Sequence, residues 1–409
     1  MRVLFATLGS VGDVKPCLHL AMGLQRMGHD VILAANEGYR DMASGFGVRF
    51  VALSSEHDVE LTTHKDFTHS SKGLEVTRDL LLGSIRSTLD FVEAHRTPGQ
   101  TVLVAPTRVL GARIAQERWN IPLVSLHMAP LYLTSFDGYP SEFVELVLGA
   151  GLDRIRTSHG LPPRQDRIDR WQYSPQKVVG LFPQWFATPE PAWPPHTELL
   201  DFLLTPPDAS ALAPDLVEFL DHGDPPVVFS PGTYTRQTRR FFETALDVAE
   251  TLGQRAILTP VRRDLLPERL PDTVFATDWV EYSTLLPKVK ALVHAGGIGT
   301  CAEALRAGIP QLMVPVVFDQ TDNARRVAEL GAGSVVEPDS FLGDTAREAV
   351  AQLLDDRTIR ARARALRPRL GVGPSAYGRL AAIVSEMLGT GASPPSGPKR
   401  PRVLKVRSF

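Results

Sequence analysis

Four short segments carry residues whose types and spacing could do chemistry. His294-Ala-Gly-Gly-Ile-Gly-Thr300 follows an apolar run and opens a helical one. Glycines at 296, 297 and 299 let backbone approach a ligand closely, and a helix beginning near Gly299 offers free N–H groups and the positive end of its dipole. That suits a diphosphate, although the same glycines also serve strand-to-helix packing. The segment has no P-loop lysine and does not follow G-x-G-x-x-G spacing. In Pro315-Val-Val-Phe-Asp319-Gln320 an acid and an amide follow an apolar strand. They can bond vicinal sugar hydroxyls, or Asp319 can cap the helix over 323–330. Ser230-Pro-Gly-Thr233 puts hydroxyls and a tight turn after another strand. Gly9-Ser10-Val11-Gly12-Asp13 follows the first strand and brings Ser10 and Asp13 to its carboxyl end, where Asp13 can take a proton or cap the next helix. Lys15 is near enough to pair with Asp13, and His19, inside the helix, reads as structural.

These segments need a scaffold that gathers strand ends. Val3–Leu8, Val31–Ala35, Val48–Leu53, Val102–Ala105 and Leu123–Leu126 are short apolar runs, separated by helical patterns over 15–27, 40–46 and 108–118. Strand–helix alternation predicts a parallel doubly wound sheet. Residues 189–226 interrupt it with nine prolines and read as an irregular connection. The alternation then resumes: strands at 226–230, 255–258, 273–276, 291–294 and 311–316, and helices at 236–252 and 299–307. The fold class is therefore α/β with two similar domains. Ligands of open α/β sheets bind beyond the carboxyl ends of strands, where all four segments fall. We expect an N-terminal domain over 1–205, a Pro-rich linker over 206–225 and a second domain over 226–368. An Arg-rich helical stretch covers 345–366, with Asp355-Asp356 as a solvated pair. A helix over 369–388 is expected to pack back on the first domain, and 389–409 to form a disordered basic tail.

Composition narrows the function classes. The 409 residues are 43% hydrophobic and 22% charged, enough apolar material for packed cores. Forty-four basic against 46 acidic residues leave a net charge of −2, which argues against nucleic acid as a partner. Two cysteines, Cys17 and Cys301, exclude a disulfide framework and a Cys-based zinc module. No apolar run reaches the ~18–20 residues of a membrane span, and the apolar start is too short for a signal peptide. A cytoplasmic protein is expected, with membrane contact limited to peripheral association. There is no Asp-x-Asp to bridge a cation to a diphosphate, so no metal and no resident cofactor are expected.

HAGGIGT, EALRAGIPQLMVP and DQTDNA together resemble the donor-binding signature of GT-B glycosyltransferases of the UDP-glycosyltransferase superfamily. The likeness runs through nearly the whole chain. Gly9-Ser-Val-Gly-Asp13-Val-Lys-Pro16 resembles the N-terminal loop of the bacterial sterol, glycopeptide and rhamnolipid branches, and Ser174–Val179 and Leu181–Ala187 resemble rhamnolipid-type rhamnosyltransferases. The resemblance implies two Rossmann-like domains facing a central cleft. His294, Gly296, Gly297, Gly299 and Thr300 would hold the diphosphate, with Thr233 reaching it from the other side. Asp319 and Gln320 would hold the sugar. Trp279 would stack on the base and Val280 offer backbone groups to its edge, although Glu281-Tyr282 replace the Pro-Gln or Pro-His common in the family; Trp279 as plain core is the other reading. Glu303 would reach the ribose, one residue later than in the plant and mammalian branches.

Many members carry a histidine general base where Asp13 stands, with Gly9, Ser10 and Gly12 beside the acceptor. The implied reaction is metal-independent, inverting transfer of a hexose or 6-deoxyhexose from a UDP- or dTDP-sugar, such as UDP-glucose or dTDP-rhamnose, to a hydroxyl. Residues 54–90 and 131–171 mix Leu80, Leu81, Phe91, Tyr132, Phe136, Tyr139 and Phe143 with polar residues; they suit a mostly apolar small-molecule acceptor, or are helix core. A nucleotide-sugar 2-epimerase or hydrolase and a non-catalytic partner protein on the same fold are the competing readings. A monomer or homodimer is expected, and His19 or His127 would be the base if Asp13 is not.

Overall fold

The computed structural model describes residues 1–54, 66, 72–204, 206–207, 212–232, 238–260, 262–371 and 375–389. Thr233, much of the 54–90 acceptor stretch and the basic tail beyond Gly389 lie outside the described residues.

The first sheet contains β1 (Arg2–Ala6), β2 (Asp30–Asn36), β3 (Arg49–Ser54), β4 (Thr101–Ala105), β5 (Leu123–His127), β6 (Lys177–Gly180) and β7 (Thr197–Leu199). Their spatial order is β3-β2-β1-β4-β5-β6-β7, every pair parallel. The second contains β8 (Val227–Ser230), β9 (Ala256–Leu258), β10 (Val274–Ala276), β11 (Ala291–His294), β12 (Gln311–Met313) and β13 (Gly333–Val335), in the order β10-β9-β8-β11-β12-β13, again parallel. Each sheet reverses its winding at one place: between β1 and β4, and between β8 and β11. Binding crevices of such sheets open at these reversals.

The strands are apolar on both faces because helices cover both. In β1, Leu4 and Ala6 join one buried cluster while Val3 and Phe5 join another. The second cluster includes Ala376, Leu380 and Val384 of the Ser375–Met387 helix, which lies on the Val11–Arg26 helix. Gly23 makes that approach close, since a Cβ there would stand 2.5 Å from the Tyr377 ring. The same helix reaches Glu198 of β7 through Arg379. The domains meet through a shared cluster in which Phe182, Phe186 and Phe202 pack with Cys301, Ala302 and Leu305.

Three local expectations change. The first helix begins at Val11, not 15, because Ser10 and Asp13 form a reciprocal capping box that carries it four residues further back, with Pro16 inside. The Pro-rich 189–226 stretch contains edge strand β7 and the helix Pro214–Asp221. Pro214 stands at the start of that helix, where a missing N–H costs nothing, and Leu216 packs with Val228 and Ile257 of the second domain. The 345–366 stretch is two helices, Gly343–Asp355 and Arg357–Leu366. Asp356 is not a solvated bystander: its Oδ1 accepts from Thr358 N at 2.7 Å and Ile359 N at 3.1 Å, capping the second helix.

Candidate active site

The carboxyl ends of the two sheets face each other across a cleft of about 610 Å³. β1 delivers Gly9–Asp13, β4 Arg108 and β5 Tyr132; from the other sheet β8 delivers Ser230 and Gly232, β10 Trp279, β11 the 295–300 turn and β12 Phe318–Gln320.

On the first domain, Asp13 Oδ2 accepts from Ser10 N at 2.8 Å and Ser10 Oγ at 3.0 Å. Gly9 has φ of +130°, and a Cβ there would meet Asp13 Oδ2 at 2.3 Å, so only glycine leaves room for the carboxylate. The side chain expected to accept a proton is therefore also the reciprocal member of the capping box whose N-cap is Ser10. Burial raises the Asp13 pKa and the charge of Arg108 opposes the rise. Lys15 does not pair with Asp13. Two residues apart on a helix, the side chains point to different sides. Lys15 reaches across the cleft to Glu281 Oε2 at 3.3 Å, its ammonium 5.1 Å from the centre of the Trp279 ring.

On the second domain, Gly297, Gly299, Thr300 and Glu303 line the cleft at the start of the Ile298–Ala307 helix. No side chain caps that helix, and a Cβ at 297 or 299 would meet nothing within 4 Å. Gly296 differs: its φ is +85°, and a Cβ would stand 2.9 Å from Gln320 O. It is needed for packing and does not line the cleft. Neither does His294. Its Nε2 donates to Gln311 Oε1 at 2.9 Å and its Nδ1 accepts from Gly296 N at 3.1 Å, which fixes the tautomer. Burial lowers its pKa to about 4, so the ring is neutral and shapes the turn rather than pointing a charge at a ligand. Glu303 is engaged by Arg306. Val280 is buried, whereas Trp279 is 61% exposed, which removes the reading of Trp279 as core.

Asp319 makes no side-chain cap of the Gln320–Glu329 helix. Its Oδ2 accepts from Asn323 Nδ2 at 2.6 Å and its Oδ1 from the Tyr132 hydroxyl at 3.1 Å. Burial is the main cause raising its pKa to about 6, and the nearby Asp13 charge adds to it. Gln320 Oε1 accepts from Val316 N at 2.8 Å and Val317 N at 3.0 Å, fixing the loop before it. His19 lines the cleft, edge-on to Phe46 with ring centres 4.8 Å apart, and burial first, then Lys15, lowers its pKa to about 4. His127 is buried beside Tyr173, outside the cleft lining, its pKa lowered by burial to about 3.

Residues 3–136 match the glycosyltransferase family 28 N-terminal domain, and residues 243–378 match the erythromycin biosynthesis protein CIII-like C-terminal domain. The chain is 30% identical over 384 residues to the vancomycin aglycone glucosyltransferase of Amycolatopsis orientalis, covering 88% of this chain and 91% of that one. This chain is a glycosyltransferase of the GT1 type. It is also 28% identical over 385 residues to the O-mycaminosyltylonolide 6-deoxyallosyltransferase of Streptomyces fradiae, covering 86% and 88% of the two chains. Its fold is GT-B. The glycotransferase of kitacinnamycin superposes with a TM-score of 0.76 at 21% identity, covering 95% of this chain and 99% of that one. The spinosyn rhamnosyltransferase SpnG, solved with thymidine diphosphate, gives 0.71 at 22%, covering 94% and 100%.

Sequence reading of this glycosyltransferase missed Arg108 and Asp137, and placed Tyr132 only among apolar acceptor residues. Arg108 Nη1 pairs with Asp137 Oδ2 at 3.1 Å, and its guanidinium lies 5.8 Å from the centre of the Phe318 ring. Asp137 (φ +53°) and Gly138 (φ +80°) form a tight turn closed by Tyr139 N donating to Phe136 O at 3.0 Å. The Asp-Gly pair is a turn signal, and Arg108 and Tyr132 each stand a few residues past a strand end. Those two cues were available in the sequence. Among the described residues no helix is long and apolar enough to cross a membrane.

Proposed function

We propose that the chain transfers a hexose or 6-deoxyhexose from a UDP- or dTDP-sugar to a hydroxyl of a mostly apolar natural-product aglycone, with inversion and without a metal. The observation that carries this reading is the opposition, across one cleft, of the half-buried Asp13 carboxylate and the uncapped helix start at Gly297–Thr300. Asp13 Oδ2 is held by Ser10, so the acceptor proton moves to Oδ1. Its raised pKa makes Asp13 a stronger base than an exposed aspartate. As the acceptor oxygen bonds to the sugar C1, the bond from C1 to the diphosphate oxygen breaks and its electron pair stays on the leaving group. The helix N–H groups and dipole stabilise that charge. In-line attack by a single acceptor oxygen inverts C1.

Trp279 is exposed to stack on the base with Val280 beside it, Glu303 serves the ribose, and Asp319 and Gln320 the sugar hydroxyls. Leu80, Leu81, Met128, Leu181 and Leu203 line the first-domain side and suit an apolar acceptor. The two transferases named above act, by name, on the vancomycin aglycone and on O-mycaminosyltylonolide, which supports a natural-product acceptor. Thermal-shift titration with UDP, dTDP and GDP, with and without EDTA, tests the donor half. UDP or dTDP raises Tm in both conditions; stabilisation abolished by EDTA contradicts the metal-free reading.

A further inference from the structure

Asp319 belongs to the second domain, but half of what holds it comes from the first. Tyr132 lies on the short turn Pro130–Leu133 just past β5. That turn is fixed by the Tyr173 hydroxyl donating to Tyr132 O at 3.0 Å. The Tyr132 phenol then crosses the cleft to donate to Asp319 Oδ1. Beside it, Arg108 stacks on Phe318, the residue before Asp319, which has φ of +56°. A phenylalanine in the left-handed region is strained and persists only where its surroundings hold it. The first domain therefore grips both members of the Phe318-Asp319 pair.

We propose that Tyr132 is a specificity-determining residue for the donor sugar, supplied by the domain that binds the acceptor. With its proton committed to Asp319, the phenol oxygen presents lone pairs to the cleft. Phenol and carboxylate together then accept and orient a sugar hydroxyl that approaches Asp319. A sugar lacking that hydroxyl leaves the pair incompletely bonded, and sites built to bond a hydroxyl discriminate strongly against its absence. Tyr132 stays protonated throughout the working range, because burial and the neighbouring Asp319, Asp137 and Asp13 charges raise its pKa well above the usual value, with only Arg108 opposing.

The inference rests on the sugar-binding role proposed for Asp319, and its test separates the two. Calorimetric titration without acceptor uses dTDP, UDP, the corresponding glucose conjugates, and dTDP-glucose deoxygenated singly at C2, C3, C4 or C6. The proteins are wild type, Tyr132→Phe and Asp319→Asn. Tyr132→Phe is expected to leave nucleoside diphosphate affinity within about twofold and to weaken glucose-conjugate binding about tenfold, the scale of a hydrogen bond to a charged pair. It also erases the difference between dTDP-glucose and one deoxy analogue, a selectivity that a purely structural tyrosine would not control. Asp319→Asn weakens every sugar conjugate that retains the contacted hydroxyl. If Asp319→Asn weakens the conjugates and Tyr132→Phe does not, the sugar site stands and the inference fails. Tighter conjugate binding by Tyr132→Phe overturns it too, because the phenol would then occupy the sugar's place. If neither variant changes conjugate binding, the sugar-site reading falls and the inference with it.

Discussion

Two regions of the cleft solve the problem of a buried polar site in opposite ways. At the domain junction, three carboxylates (Asp13, Asp137 and Asp319) gather around the Tyr132 phenol, the guanidinium of Arg108 acts on the first two, and burial raises the pKa of each. At the 294–300 turn there is no ionised side chain: His294 is neutral, and what faces the cleft is glycine backbone and the start of a helix. The first arrangement keeps carboxylates poised to change protonation, which suits moving a proton. The second provides fixed dipoles that need no rearrangement when charge arrives, which suits holding a diphosphate. If the proposed function holds, the proton acceptor Asp13 and the diphosphate-holding turn lie on different domains, so proton transfer and nucleotide binding should be separable by mutation.

The sharpest separation is Asp13→Asn. Removing the base is expected to lower kcat ~10²–10⁴-fold, the usual range for general base catalysis, with nucleotide affinity nearly unchanged. Asn still accepts from Ser10 N, so Tm should barely move. Steady-state kinetics on an aglycone panel and calorimetry with dTDP check the two halves. Turnover within a few-fold of normal would move the base to His19, which also lines the cleft.

At the neutral turn, Gly299→Ala should act the other way. The added methyl meets no protein atom within 4 Å and relieves a flexible helical position, so the fold gains up to about 1 kcal/mol. If the diphosphate lies over that position, dTDP affinity falls about tenfold or more. Gly296→Ala is the contrast: it strains a positive φ and strikes Gln320 O, so Tm falls before any ligand is added. Unchanged dTDP affinity in Gly299→Ala would remove the turn from the binding site.

The smallest effect is in the pH dependence of stability, where the buried histidines and Asp319 pull in opposite directions. His294 and His19 sit at about 4 and His127 at about 3, below the usual 6.5. Between those values the folded chain binds fewer protons than the unfolded one, so these histidines cost stability as pH falls from 6.5 toward 4. Asp319, raised to about 6, has the opposite sign: it costs stability as pH rises from about 4 through 6. Asp319→Asn should therefore raise Tm at pH 8 and leave it nearly unchanged at pH 4. Scanning calorimetry across pH 4–8 checks both slopes, and an equal gain for the variant at both ends would show that its carboxyl is not the titrating group.

Most of the fold was legible because the strands are short apolar runs separated by helical periods, and because loops after parallel strands must share one edge. Asp13, Gly297, Gly299 and Asp319 were found in that way and Trp279 through the resemblance to the superfamily, and all line the cleft. What was not legible depends on pairings between distant segments. Nothing near His294 in sequence announces Gln311 as the partner that occupies its Nε2, seventeen residues on. Arg108 gains its meaning only when Asp137 and Phe318 are brought beside it. Tyr132 looked apolar because its hydroxyl finds its partner 187 residues away, on the other domain. The turn prolines misled in the other direction, since Pro214 starts a helix instead of preventing one.

The central claim is direct transfer by a single in-line displacement, with the base on one domain and the leaving group held by the other. The most direct measurement is proton NMR of the glycoside formed from an α-linked nucleotide hexose and an apolar aglycone in the presence of EDTA. The account predicts a β-linked product formed at an EDTA-independent rate. An α-linked product, or a donor that is only hydrolysed or epimerised while the aglycone stays unmodified, would contradict it.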